Sequence, residues 1–312
     1  MRSTYATFLL AVAVLTLLAA SCGGGARVQT RTVPGEPGLE YAVDGDYLYL
    51  VCVGHGSPVV VLEAGLGGDH RAWSDVQPEL ARTTRVCSYD RAGLGLSQLA
   101  PRRATATAKA DELRDLLAAA RVEPPYVLVG HSYGGLLVRV FAGAHADEVA
   151  GVVLVDASHP DQRRAFLQTL RARRVGENAA VRELRREIVR VTPNPEGVDW
   201  RASSDEARAA GTLGSRPLVV VSAGHEDWPP GLPDLATRRL ERTWLRLQSD
   251  LARLSTDAVH VIAVNSSHAV MATWGQPSVV IRAIRAVVHA ARSQAQLPPC
   301  SALFEAGGVR CL

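Results

Sequence analysis

The chain reads as an α/β protein with a doubly wound, mostly parallel eight-stranded sheet and an inserted helical cap. Short apolar runs alternate with helix-period segments along most of its 312 residues, the pattern of a parallel sheet covered on both faces. The alternation breaks once, over residues 159–216, where a charged, helix-prone stretch without strand runs is too long for an ordinary connection. A hydrophobic fraction of 47% is ample for a sizeable core, and with only 5% aromatic residues that core must rest on Val, Leu and Ala.

Residues 39–43 and 47–53 alternate on either side of an Asp-Gly turn and read as an antiparallel hairpin. Val59, Val60, Val61 and Leu62 form a continuous apolar run, as expected of a strand buried on both faces. Residues 73–82 have helical spacing and 84–89 form the next strand. Over 104–121, Leu113, Leu116 and Leu117 share one face of an amphipathic helix. A strand at 126–129, a helix at 133–144 and a strand at 151–155 follow. After the interruption come a strand at 217–221, a helix at 235–254, a strand at 258–264 and a helix at 278–291. The expected layout is a core from 39–158 and 213–295, a cap at 159–212 and a C-terminal tail at 296–312.

At the N-terminus, Arg2 precedes an apolar run over 7–20, short for a membrane span and fitting the h-region of a secretory signal. The stretch Leu18, Ala19, Ala20, Ser21, Cys22 resembles a bacterial lipobox, with Ala19 in place of the usual large aliphatic residue. That resemblance makes 1–22 a signal peptide, Cys22 a lipidated mature N-terminus and the Gly/Pro/Thr-rich 23–38 a tether. The expected location is the outer face of the cell membrane, held by the lipid anchor, with simple secretion as the alternative. Cys52, Cys87, Cys300 and Cys311 remain, an even number that allows two disulfides in three connectivities. Buried free thiols are the alternative for Cys52 and Cys87.

The formal net charge of +3 carries no nucleic-acid signature. Lys109 is the only lysine. The basic stretch over 163–190 reads as a solvated helix face rather than an anion site. No metal-ligand cluster appears, and Gly65, Gly67 and Gly68 lack the spacing of a phosphate loop. No cofactor is expected.

The chemistry starts at Gly130, His131, Ser132, Tyr133 and Gly134, a G-x-S-x-G motif between a strand and a helix. So tight a turn admits only small flanking residues and lifts the Ser132 hydroxyl over the sheet edge, with the Tyr133 amide beside it. A glycine-rich turn without catalysis is the bland alternative. A serine hydroxyl needs a base within hydrogen-bond reach. Of nine histidines, His131 points away from the hydroxyl and reads as packing, His70 could line an acyl pocket, and His268 follows the last core strand.

Over roughly 39–291 the chain resembles the α/β-hydrolase superfamily. Glu63, Ala64, Gly65, Leu66, Gly67 and Gly68 stand where that family has its oxyanion loop, with Ala64-Gly65 in place of the usual His-Gly. The resemblance makes the Leu66 amide a second oxyanion donor beside that of Tyr133. Asp90 to Ser97 resembles the family's D-x-x-G-x-G-x-S loop, and His268 takes the family's histidine position. For the acid, Asp227 follows the next-to-last strand, the commoner family position. Asp156 ends the preceding strand, where a subfamily with similar stretches places it, and is favoured. The family's strand order makes the strands bearing Cys52 and Cys87 neighbours. The expected disulfides are therefore Cys52–Cys87 and Cys300–Cys311.

The resemblance implies an esterase- or lipase-like serine hydrolase acting on a small-molecule or lipid ester. An acyltransferase or cofactor-free perhydrolase would use the same residues. A non-catalytic binding protein is less favoured because Ser132 and His268 are both present.

Overall fold

Runs rich in Val and Leu form the inner strands of the sheet, which bury both of their faces. The structure, a computed structural model, describes residues 29–98, 104–170, 176–189, 196–271, 275–304 and 307–312. Cys22 and the expected signal segment 1–22 lie outside the described residues. In chain order the elements are β1 (Thr30–Thr32), β2 (Leu39–Val43), β3 (Asp46–Val53), β4 (Val59–Glu63), α1 (Gln77–Ala81), β5 (Val86–Tyr89), α2 (Ala106–Ala119), β6 (Tyr126–His131), α3 (Tyr133–Ala144) and β7 (Val149–Val155). Then come α4 (Gln162–Thr169), α5 (Ala179–Val189), α6 (Trp200–Ala209), β8 (Leu218–Ala223), α7 (Asp234–Ala252), β9 (Ala258–Ala263), α8 (Pro277–Ser293), α9 (Cys300–Leu303) and β10 (Val309–Cys311).

One sheet runs in the order β1-β2-β3-β5-β4-β6-β7-β8-β9-β10. The six strands from β5 to β9 in that order are parallel, and the four outer pairings are antiparallel. In β4, Val59 and Val61 join the core beneath α2 and α3, while Val60 and Leu62 join the core beneath α1 and α8. Successive strand residues point to opposite faces, so this division is what a doubly wound sheet requires.

The mostly parallel sheet is as expected, but it carries ten strands rather than eight. The two additions are three-residue edge strands. β1 is wholly exposed and pairs with β2; β10 pairs with β9. Neither segment has an apolar alternation to announce it, because edge pairing rather than burial makes it a strand. The helix expected over 73–82 is also divided. A 3₁₀ turn spans His70–Trp73, with Asp69 accepting a hydrogen bond from the Arg71 amide, and α1 starts afresh with Pro78 in its first turn, where a proline's missing N–H costs nothing.

Cys52 and Cys87 face each other across the β3–β5 pair and form a disulfide with Cα atoms 4.1 Å apart. Cys300–Cys311 forms the second, at 5.8 Å, and ties α9 to β10. Between β7 and β8 lie α4, α5 and α6. Phe166, Leu170, Val181 and Leu184 pack there against Leu240, Trp244 and Leu247 of α7, a third apolar cluster apart from the sheet. Arg185 is an exception to the expected solvated basic face: it is buried and bonded to Glu177 and the Leu170 carbonyl.

Candidate active site

β6 delivers the chain into a turn that would be forbidden to most residues. Ser132 has φ 51° and ψ −122°, a strained conformation costing about 1–3 kcal/mol unless its surroundings enforce it. They do: the Ser132 amide donates to the Val155 carbonyl at 3.1 Å, and its carbonyl accepts from the Ser158 amide at 2.8 Å. The flanking glycines are needed for close approach. A Cβ at Gly130 would lie 2.5 Å from the Gly134 carbonyl oxygen, and one at Gly134 the same distance from that of Glu63.

β7 ends beside this turn, and Asp156, wholly buried, follows with φ 42°. The loop after β9 carries His268. Its Nδ1–H donates to Asp156 Oδ2 at 2.6 Å, and the Ser132 hydroxyl donates to its Nε2 at 2.9 Å. The other Asp156 oxygen accepts from the Ala223 amide at 3.0 Å and from the Trp244 indole at 2.9 Å. Burial works against the Asp156 charge, but the hydrogen bond and charge of His268, with the hydrogen bonds from the Ala223 amide and the Trp244 indole, outweigh it and hold the carboxyl below its ordinary value. Burial likewise opposes the imidazolium of His268, while the hydrogen bond and charge of Asp156 raise it above its ordinary 6.5.

Of the two acids weighed from sequence, the structure brings Asp156 to His268; Asp227 is exposed and makes no hydrogen bond to His268 among the described residues. Its neighbour Glu226, unnoticed in the sequence, offers an oxygen within 4.8 Å of ligand atoms of both Asp156 and His268. Burial, then the Asp156 charge, push the Glu226 carboxyl well above its ordinary value. Trp244 was also missed, since nothing in a helix-period segment singles out the indole that reaches a strand end.

His131 does not reach the hydroxyl. It donates from Nε2 to the His268 carbonyl at 2.9 Å and so braces the loop that holds His268. Burial, and secondarily the charge of His268, push it down to about 3, which keeps it neutral. His70 is buried, with its Nδ1 bonded to Asp90 at 2.7 Å. Asp90 also accepts from the Leu96 amide, and the Ser97 hydroxyl donates to the Asp90 carbonyl, so the Asp90–Ser97 loop is closed on itself beneath the site.

The loop after β4 runs against the serine: a Cβ at Gly65 would lie 3.2 Å from Ser132 Cβ. Tyr133 opens α3, where backbone N–H groups have no intrahelical acceptor. The Leu66 amide likewise has no internal acceptor among the described residues, whereas the amides of Gly67 and Gly68 are both bonded. Beneath this loop lies a buried charge network of Glu63, Arg91, Lys109 and Glu196. The Arg91 guanidinium bonds Glu63, the carbonyls of Ala64 and Gly65, and both oxygens of Glu196.

Two groupings among the described residues bring three possible metal-ligand atoms together: Asp69, His70, Asp90 and Asp156, Glu226, His268. In the first, both carboxylates already accept hydrogen bonds from Arg71, His70 and Leu96. The second shares its Asp156–His268 bond with Ser132. In both groups a histidine–carboxylate hydrogen bond already occupies two of the three ligand atoms.

Comparison with known proteins agrees with this architecture. The family model described as alpha/beta hydrolase fold matches residues 58–227, more than half of the chain. YqjL of Bacillus subtilis, an uncharacterized protein, is 29% identical over 245 residues, covering 78% of this chain and 88% of that one. A thermophilic esterase from Thermogutta terrifontis is similar in structure with a TM-score of 0.54 at 23% identity, over 85% of this chain and 97% of that one. An enol-lactonase from Burkholderia xenovorans gives 0.53 at 20% identity, over 80% and 99%. At such identities the structural likenesses speak for the fold. The chain belongs to the α/β hydrolase fold family.

Proposed function

We propose that this chain is an exported serine hydrolase that cleaves a carboxylic ester or similar acyl substrate through an acyl-enzyme on Ser132. One observation carries the reading: an unbroken hydrogen-bond path from buried Asp156 through His268 to Ser132 Oγ, at a strained turn that family geometry reserves for a nucleophile. In the first step His268 Nε2 takes the Ser132 proton as Oγ adds to the substrate carbonyl. The amides of Leu66 and Tyr133 stabilise the resulting oxyanion, and Asp156 stabilises the imidazolium. His268 then passes the proton to the leaving alkoxide. Water, deprotonated by the same nitrogen, releases the acid and restores the serine.

A cavity of about 1130 Å³ lies between the cap and α3, with Leu136, Phe166, Trp200 and Trp228 among its lining residues. The Trp200 ring rests on Tyr133, with centroids 4.9 Å apart, but neither Ser132 nor His268 lines this cavity, and Arg163, Arg164, Asp205 and Arg208 share its wall. A panel of p-nitrophenyl esters of increasing acyl length tests the reading. Saturable hydrolysis is expected, and failure to turn over any of them contradicts it.

The base must be neutral to accept a proton. With His268 held above its ordinary 6.5 by Asp156, kcat/KM should rise with pH through a limb centred above 6.5. A limb centred at or below that value contradicts the assigned pairing.

Export and anchoring rest on the N-terminal sequence. The 7–20 apolar run and Cys22 support a lipid-anchored protein facing outward, and two disulfides suit an oxidising compartment. No helix among the described residues is long and apolar enough to cross a membrane. The full-length protein should partition into the detergent phase, and Cys22→Ala should move it to the aqueous phase. Equal partitioning of the two contradicts lipidation at Cys22.

A further inference from the structure

We propose that Glu196, carried on the cap side of the chain, is a positioning residue for the oxyanion hole, holding the Leu66 amide in its donating orientation. The inference rests on the reading of Ser132 as the nucleophile. A peptide unit is planar and rigid, so the direction of the Leu66 N–H is fixed by the Gly65 carbonyl in the same unit. That carbonyl accepts from Arg91 Nη2 at 2.6 Å and from the Gly68 amide at 3.0 Å. The next unit joins Leu66 to Gly67, whose amide donates to Glu196 Oε1 at 2.7 Å. Both peptide planes flanking Leu66 are therefore held, the second directly by Glu196.

Glu196 also holds the first. Its two oxygens accept from Arg91 Nε at 2.7 Å and Nη2 at 2.9 Å, the two-pronged pairing that fixes a guanidinium in orientation as well as place. Arg91 Nη1 meanwhile donates to the Ala64 carbonyl at 2.8 Å. With Lys109 Nζ at 3.5 Å from Glu196, two carboxylates, Glu63 and Glu196, face two cations, Arg91 and Lys109. All four are buried, and Glu112 adds its charge from the Lys109 side, so losing Glu196 removes the carboxylate that holds the Arg91 fork more than it changes the sum of charges. Sequence neighbours keep Glu196 in place: the Ala104 amide donates to the Gly197 carbonyl at 3.1 Å, and the Asp199 amide to the Ala104 carbonyl at 3.0 Å. Docking of this end of the cap on the segment before α2 thus delivers the carboxylate that orients the oxyanion loop.

A residue acting on the oxyanion hole affects the transition state, where charge has developed, more than the bound substrate. The test uses Glu196→Gln, nearly isosteric but uncharged, and Glu196→Ala, each with kcat expressed per site titrated by a fluorophosphonate. Glu196→Gln should lower kcat by about tenfold to a hundredfold with KM changed less than about threefold. It should weaken inhibition by a trifluoromethyl ketone, which forms a tetrahedral adduct, by the same factor. A purely structural role would lower the titratable fraction and leave kcat per site alone. A kcat per site within threefold of the parent, or a rise in KM alone, overturns the proposal.

If Glu196→Ala does not fold, the glutamine variant carries the test. If the parent neither labels nor hydrolyses any ester, it is the hydrolase reading that fails. Hydrogen exchange over residues 64–68 then decides the loop-holding claim by itself. Faster exchange there in folded Glu196→Gln supports it, and unchanged exchange overturns it.

Discussion

Ser132→Ala is expected to lower kcat for ester hydrolysis by about 10⁶-fold while leaving the fold intact. The variant has no oxygen to attack the carbonyl, so only the residual effect of the oxyanion amides remains, about 10³-fold over the uncatalysed rate. Folding should survive because the hydroxyl's only internal partner among the described residues is His268 Nε2, a partly exposed ring that water can serve in its place. The positive φ of residue 132 is set by the backbone bonds to Val155 and Ser158, which alanine retains. Thermal melting beside the ester assay checks both halves. Activity above about a tenth of the parent's would mean that another group makes the attack.

Asp156→Asn is expected to cost about 10⁴-fold in kcat, again with the fold preserved. The asparagine carbonyl can take the hydrogen bonds that Ala223 and Trp244 now give to Oδ1. Its NH₂ group then faces His268 Nδ1, which must become an acceptor, and the ring proton moves to Nε2. A protonated Nε2 cannot receive the Ser132 proton. Asp227→Asn should change kcat by less than about tenfold, since Asp227 is exposed and does not bond the ring. The reverse ranking would transfer the role to Asp227.

The parts of this site that were legible in the sequence are those fixed locally. The small residues around Ser132 are demanded by a tight strand-to-helix turn, so the motif and its context point to one conformation. Asp156 and His268 sit just after strands whose apolar runs are plain, and family resemblance turns those positions into neighbours. Glu196 gave no such signal. It lies 129 residues from Gly67, in a charged segment where one more glutamate reads as solvated. Lys109 drew notice only as the chain's single lysine, not as a partner of Glu196. Glu226 is adjacent to an acid weighed by position, but the upward push on its carboxyl comes from burial and from Asp156, which only the folded chain brings near. The edge strands β1 and β10 escaped for a related reason: three residues carry too little pattern, and what makes them strands is the neighbour they pair with.

The most direct measurement of the central claim is the mapping of a covalent adduct. The protein is treated with a fluorophosphonate, digested, and read by mass spectrometry, in parallel with His268→Ala. One stoichiometric adduct is expected on the peptide containing Ser132, located at that residue, with labelling slowed by orders of magnitude when His268 is removed. An unlabelled Ser132 in folded protein, an adduct at another serine, or labelling indifferent to His268 would contradict it.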